Sequence, residues 1–292
     1  MSVLDHSSIQ LLCFGFGFTA TEVARQNPEI SVLGTTRSDV SAGRLLPNVD
    51  MVRFDGVSEP CGLSDMAETV THVLVSIPPG SAGDCVCHIM AEKLSHFKNL
   101  KWVGYLSTTG VYGDLQGATA TEETPLNPSG PRGKRRVDAE AQWWSAAKQY
   151  GLPLHIFRLP GIYGPGRNQM VSLQKGKAHR IVKKNHVFSR IHVGDLAKIL
   201  SASMAAPHSG RIYNVSDDMA APPEDVVSYA AELLGIAPPP LEDFQTADLS
   251  PMARSFYSDN KRVSNNRIKN ELGVSLTFPT YKIGLKALSE KP

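Results

Sequence analysis

Between residues 9 and 158, short runs of apolar residues take turns with segments of helical period: "IQLLCFG" then "TATEVARQ", "ISVLGTT", and further on "THVLVSI", "CVCHIMAEKLSHF", "KWVGYLS" and "LPLHIFRL". The short runs are apolar throughout and lack the alternation of a strand with one wet face. Strands of that kind are buried on both sides, which requires a parallel sheet with helices packed on either face. The pattern predicts strands near 9–14, 30–35, 49–54, 71–77, 101–106 and 153–158. The expected class is α/β, with a doubly wound parallel sheet.

After residue 160 the pattern breaks into loops, basic stretches and helices near 223–235 and 280–289, with a short strand at 211–215. We divide the chain into a sheet domain over 1–160 and a smaller, mostly helical cap over 161–292, whose strand near 211–215 returns to the sheet. At 292 residues, 41% hydrophobic and 20% charged, the composition is that of an ordinary globular chain. A formal charge of +2 supplies no global field for nucleic acid or a membrane surface, so neither is expected as a partner. The start, "MSVLDHSSIQ", has no basic segment followed by an apolar one, and no apolar run approaches the roughly 18 residues that span a bilayer, so a cytoplasmic location is expected. Cys13, Cys61, Cys85 and Cys87 are too few and too irregular for a disulfide framework, and "CVCH" has no second ligand pair at metal spacing. They read as reduced thiols, with no metal.

The most informative local stretch is "CFGFGFTATEVA", in which Gly15-x-Gly17-x-x-Ala20 follows the first strand and opens a helix. A dinucleotide lays its pyrophosphate against backbone N–H groups at a helix N-terminus, and residues without a side chain let the backbone come that close. Gly15 would make the tight turn and Gly17 the close approach, with Phe16, Phe18 and Thr19 completing the cradle of a Rossmann-type site. The end of the second strand then selects the cofactor. About 20 residues after the first glycine an NAD site carries an acid for the ribose 2′-hydroxyl. Here "VLGTTRSDV" places Thr35, Thr36, Arg37 and Ser38 instead, and a guanidinium with neighbouring hydroxyls suits a 2′-phosphate. NADP(H) is the expected cofactor, with NAD(H) kept open by Asp39.

These residues resemble an extended short-chain dehydrogenase/reductase of the NAD(P)-dependent epimerase/dehydratase kind, and more closely its atypical branch. Beyond the glycine turn, the resemblance rests on "VRFDG", "LVSIPPG", "YLSTTGVYGD", "TEETPLNPSGPRG", "FRLPGIYGPGRN", "RIHVGDLA" and "YNVSDD", in that order along nearly the whole chain. It implies that Asp55 contacts the adenine end, that Ser76, Ile77, Pro78 and Pro79 line the cofactor after the fourth strand, and that Ser107 and Thr108 end the fifth strand, with Thr108 bonding the substrate oxygen. It also implies a substrate cleft between sheet and cap, a small-molecule substrate, and a homodimer as the assembly.

The family's next helix carries Tyr-x-x-x-Lys, with a Glu eight residues after the Tyr. In "PSGPRGKRRVDAE" the Glu is Glu140, so the Tyr slot holds Arg132 and the Lys slot Arg136. Guanidinium stays protonated in proteins, so Arg132 cannot be a general base. Loss of a positioned acid–base group costs about 10²–10⁴ in rate. Four cations within five residues at a helix start also oppose the helix dipole. Either acidic neighbours such as Asp138, Glu140 or Asp114 pair with the arginines, or an anionic substrate does, with Arg132 as clamp and Arg136 as donor to the nicotinamide ribose. Tyr112 is the candidate proton carrier, with Tyr163 a further aromatic near the site. The Tyr257-x-x-x-Lys261 match lies far along the chain and reads as a decoy. His192 reads as a buried structural histidine, Asp195 as a helix N-cap, and the basic stretch 175–186 as a solvated loop over the anionic cofactor. Two functions remain: an NADP(H)-dependent oxidoreductase or epimerase-like enzyme for a small anionic or sugar-like metabolite, or a non-catalytic NADP(H)-sensing protein.

Overall fold

The computed structural model describes residues 9–38 and 46–290. Its centre is a seven-stranded, all-parallel sheet built from β1 (Gln10–Phe14), β2 (Ser31–Thr36), β3 (Val49–Arg53), β4 (His72–Val75), β5 (Trp102–Thr108), β6 (Leu154–Leu159) and β7 (Arg211–Asn214). The spatial order is β7-β6-β5-β4-β1-β2-β3. The winding direction reverses between β1 and β4, and a crevice outside the carboxyl ends of strands opens at such a reversal.

Side chains of successive strand residues alternate between the faces, so each strand feeds two cores. Leu11 and Cys13 of β1 point to one face, where α1 (Phe18–Gln26), α5 (Val193–Ala205) and α7 (Asn266–Leu272) pack. Leu12 and Phe14 point to the other, beneath α2 (Leu63–Thr69), α3 (Cys85–Leu94) and α4 (Pro131–Tyr150). This double burial is why the strands read as uninterrupted apolar runs. Burial also holds the thiol of Cys13 well above its ordinary range.

The second half of the chain gives the sheet more than a strand. After β6 it passes through α5, which covers the sheet beside α1, and then enters β7. Trp102 of β5 donates its ring N–H to Ser203 of α5 across 3.0 Å. The cap has a small core of its own, in which Met170 meets Val226 and Ala230 of α6 (Pro223–Leu234) and Tyr281 and Leu285 of α8 (Tyr281–Ser289).

Two sequence expectations are corrected here. Asp195 does not cap α5; His192 does, with Nδ1 accepting from the Gly194 N–H at 3.1 Å. The Asp195 carboxylate, fully buried, instead accepts from the backbone N–H groups of Thr277 and Phe278 at 2.7 and 2.8 Å and fastens the C-terminal segment to the sheet layer. The basic stretch 175–186 is not a free loop: Arg180–Val182 forms a parallel pair with Leu241–Asp243. Two of its cations are held by the cap: Arg180 donates to Pro239 O at 2.9 Å and Lys183 to Tyr257 O. Among the described residues no helix is long and apolar enough to cross a membrane.

Candidate functional site

The glycine turn sits at the reversal point, between the ends of β1, β2 and β4. Gly15 has φ +88°, a left-handed conformation that a side chain resists. A Cβ there would stand 2.9 Å from Ser76 Oγ and 3.0 Å from Ile77 Cγ1. Gly15 N–H donates to Thr35 Oγ1 at 2.8 Å, Phe16 N–H to Thr35 O at 3.2 Å, and Ser76 Oγ to Gly15 O at 2.5 Å. The turn is therefore braced from both flanking strands. Gly17 is the N-cap of α1 and has no side chain to satisfy the first N–H groups; a Cβ on it would meet nothing within 4 Å. An open helix N-terminus under a rigid glycine turn is what a pyrophosphate requires, so these residues fit a dinucleotide.

Thr35 and Ser76, both expected at the cofactor, direct their hydroxyls to the backbone of the turn. Thr35 is 3% exposed and spends its hydroxyl on Gly15; Ser76 turns its own hydroxyl onto the turn carbonyl. Both position the cradle from behind. Phe16 lies over Gly34, where any Cβ would be 2.7 Å from the ring, so it shapes the floor between β1 and β2. Phe18 opens α1 and Thr19 is buried in it. Beyond β2, Thr36 Oγ1 accepts from Ser38 N–H at 3.2 Å, while Arg37 is exposed, without a hydrogen-bond or ion-pair partner among the described residues. Asp39 lies outside the described residues. Asp55 is exposed past the end of β3, where the N–H groups of Ser58 and Val57, at 2.9 and 2.8 Å, hold its carboxyl below the ordinary carboxylate range. After β4, Pro78 is exposed and Ile77 and Pro79 are half-buried.

The end of β5 meets the start of α4 at a second close approach, where a Cβ on Gly133 would fall 2.8 Å from Gly110 O. Thr108 is half-buried and its Oγ1 accepts from Gly110 N–H at 3.1 Å, which leaves its own O–H free to donate. Ser107 faces the other way. Its hydroxyl donates to Glu140 Oε1 at 2.5 Å, and Glu140 pairs with Arg158 at 2.7 Å, both acid and base being 3% exposed. Arg158 donates to the Tyr112 phenol at 2.9 Å, and the phenol donates to Asn214 Oδ1 at 2.7 Å. Ser107 and Tyr112 thus belong to a buried polar network that joins β5, α4, β6 and β7. Tyr112 is wholly buried, and burial raises its pKa, so the proton-carrier role assigned to it is withdrawn.

Residues 86–216 match the model of the NAD dependent epimerase/dehydratase family. That stretch is just under half of the chain, and it is similar to that family. A conserved protein of unknown function from Silicibacter pomeroyi is 46% identical with a TM-score of 0.84, covering 96% of this chain and 98% of that one. The dTDP-glucose 4,6-dehydratase of Bacillus anthracis, solved with NAD, shares the fold at a TM-score of 0.78 and 19% identity over 96% of this chain and 95% of its own. Protein YeeZ of Escherichia coli K12 is 32% identical over 177 residues, which is 60% of this chain and 58% of that protein. The chain thus matches less than two thirds of that curated relative's length.

Within this epimerase/dehydratase frame the two arginines at i and i+4 part company. Arg136 is half-buried, and its Nη1 donates to Leu106 O at 2.6 Å and to the Tyr105 hydroxyl at 3.1 Å, tying α4 to β5. Its Nε and second amino group have no hydrogen-bond or ion-pair partner among the described residues. Arg132 is exposed on the first turn and likewise has no such partner there. Two of the three acids expected as alternatives are engaged elsewhere, Glu140 with Arg158 and Asp114 with the N–H groups of Gln116 and Asn260, while Asp138 is exposed and pairs with neither arginine. Tyr257 and Lys261 form no dyad. Tyr257 packs among His186, Phe188 and Phe244, and Lys261 donates to Gly113 O at 2.8 Å. Sequence reasoning missed Arg167, whose guanidinium lies 5.6 Å from the ring of Phe18, although it stands in a quoted motif, "GPGRN".

Proposed function

We propose that this chain is an NADP(H)-dependent oxidoreductase or epimerase-like enzyme for a small anionic or sugar-like metabolite, working without the family's tyrosine. The observation that carries the reading is the braced Gly15–Gly17 turn under the open start of α1, with Arg37 exposed and unengaged just beyond β2. A bound nicotinamide supplies two-electron redox chemistry at a carbon that bears oxygen. Around it, Thr108 orients the substrate oxygen with its O–H, Arg132 receives an anionic group, and the unspent N–H groups of Arg136 reach the nicotinamide ribose. Neither arginine moves a proton at neutral pH, and Tyr112 is sealed in the core, so the proton exchanges with water or with an acidic group of the substrate itself.

A second reading, a cofactor-sensing protein without turnover, is favoured by the same absence of a proton carrier at Arg132. The two separate in one assay. NADPH is incubated with a panel of small keto acids and sugar carbonyls and followed at 340 nm. Turnover of any member supports the enzyme; tight NADPH binding with no turnover across the panel leaves the sensor. Cofactor choice is tested by titration calorimetry. Arg37→Glu should weaken NADPH by about ten- to a hundredfold, the size of a lost charge-assisted pair, and leave NADH nearly unchanged. Tighter binding of NADH than NADPH by the unaltered protein overturns the NADP assignment.

A further inference from the structure

The cap holds a cavity of about 250 Å³ beside the carboxyl end of β6, between Gly161–Tyr163, the start of the Gln169–Gln174 helix, α6 and α8. Two arginines line it, together with Asn168, Ser172, Tyr163 and Tyr281, and no Asp or Glu among the described residues does. Arg190 lies opposite Gly161 in the short parallel pair that follows β6. One of its amino groups donates to Phe188 O at 2.9 Å and Ala221 O at 3.3 Å, and the guanidinium stands 5.8 Å from the Tyr281 ring.

That leaves a largely desolvated cation in no ion pair among the described residues. Desolvation holds its pKa below the ordinary arginine value. The neighbouring carboxyl, Asp217, acts on it through space and makes no ion pair with it: Asp217 accepts from Met219 N–H at 3.1 Å, and burial pushes its pKa up to about 7. A charge withdrawn from water without a direct ion-pair partner is costly, and part of the cost is recovered when an anion arrives. Arg167 links the cavity to the cofactor turn, since the residue lines the cavity and its guanidinium lies 5.6 Å from the ring of Phe18, the first residue of α1. Ligand pockets usually span about 300–1,000 Å³, so this one suits a single small group and is small for a nucleotide.

We infer that this cavity is the seat of the substrate's anionic group, a carboxylate or phosphate ester gripped by Arg190 and Arg167. This deepens the function proposed above, and rests on it for the identity of the cleft as a substrate site. The second guanidinium, at the rim, closes the anion against the cofactor side.

The test uses malonate and inorganic phosphate as probes, titrated into the full-length protein with and without NADPH. The variants are Arg167→Gln, at an exposed residue whose side chain makes no hydrogen bond among the described residues, and Arg190→Lys. One of the two probes should bind the unaltered protein, which identifies carboxylate or phosphate as the preferred class. Arg167→Gln should then weaken it about tenfold or more, with NADPH affinity within twofold of the unaltered protein. If Arg190→Lys fails to fold, Arg167→Gln decides alone. No binding of either probe, or equal binding by the unaltered protein and Arg167→Gln, overturns the inference. So does a loss of NADPH affinity in Arg167→Gln with anion binding intact, because the guanidinium then serves the cofactor. Anion binding lost in Arg167→Gln but no turnover on the carbonyl panel upholds the anion seat and refutes only the enzyme reading.

Discussion

Replacing Glu140 by Gln removes one charge from the centre of the molecule and little volume. In the native structure Arg158 gives Nε and one amino group to Glu140 at 3.2 and 2.7 Å, and the other amino group to Tyr112. The glutamine side chain can still accept from Ser107 or Arg158, but its NH₂ group faces a guanidinium that is 3% exposed. Breaking a buried pair from one side strands the partner charge and costs about 3–5 kcal/mol. Near 60 °C the unfolding entropy is about 2.1 cal/mol/K per residue. For 292 residues that is about 0.6 kcal/mol/K, so Tm should fall by about 5–8 °C. Differential scanning calorimetry measures it directly. The double variant Glu140→Gln/Arg158→Met should recover part of the loss, because it removes the stranded charge. A fall of less than about 1 °C in the single variant, or strict additivity in the double, would refute the claim that this pair joins α4 to β6.

Tyr112→Phe should cost about 1–3 kcal/mol, since Arg158 and Asn214 both lose a buried partner; if the folded variant instead lost 10²–10⁴ in kcat, the phenol would be a proton carrier after all. His155, at the start of β6, is wholly buried and stacked 5.8 Å from Trp102, and burial pushes its pKa down to about 4. The unfolded chain protonates near 6.5, so the unfolded state binds more protons between pH 6.5 and 4, and this histidine subtracts about 2 kcal/mol of stability on going from pH 7 to 5. Asp217, raised to about 7, acts in the opposite sense over the same interval. The measurement is therefore the difference between wild type and His155→Phe in urea midpoint: the variant should gain on wild type as pH falls, and a pH-independent difference would disprove the assignment. Gly15→Ala forces φ +88° on a side chain that also meets Ser76, so it should cost about 1–2 kcal/mol and abolish NADPH binding in calorimetry; retained binding would remove the turn from the site.

How far the sequence could reach follows from where each signal is written. Of the six sheet strands before residue 160, the central ones were legible because they are covered on both faces, as the 0–1% exposure of Leu11, Leu12, Cys13 and Phe14 illustrates, while β3 at the edge buries only Val49 fully. The glycine turn was legible for a similar reason: its requirement is for missing side chains, and a missing side chain is visible in one dimension. The direction of a hydroxyl is not. Thr35 and Ser76 occupy positions where cofactor contact was expected, yet each is claimed by a backbone atom of the neighbouring turn. Which side of a strand end meets the neighbour depends on twist. Arg132 and Arg136 show another limit. Residues at i and i+4 share a helix face, but they stand about 6 Å apart along the axis. Because α4 runs past the end of β5, one guanidinium stays at the surface and the other reaches Leu106 O. Arg190 was invisible altogether, since its surroundings come from Gly161, Ala221 and Tyr281.

The same distinction makes the proposed loss of an acid–base pair compatible with a retained dinucleotide cradle. The cradle consists of N–H groups, a left-handed glycine and two hydroxyl braces, and none of its atoms takes part in proton transfer. On the reading proposed above, proton chemistry would rest on two side chains at the start of α4, outside that cradle. Arg136 even takes over a structural duty there, bridging α4 to β5 through a carbonyl and a phenol. What the substitution adds is positive charge: with Arg132 at the helix start and Arg167 and Arg190 on the cap, three guanidinium groups come from three separate elements, none in an ion pair among the described residues. On the reading proposed above, such a catalyst would select its substrate by charge and leave proton delivery to water, so its rate should follow the protonation state of the substrate and not that of any residue in the cleft.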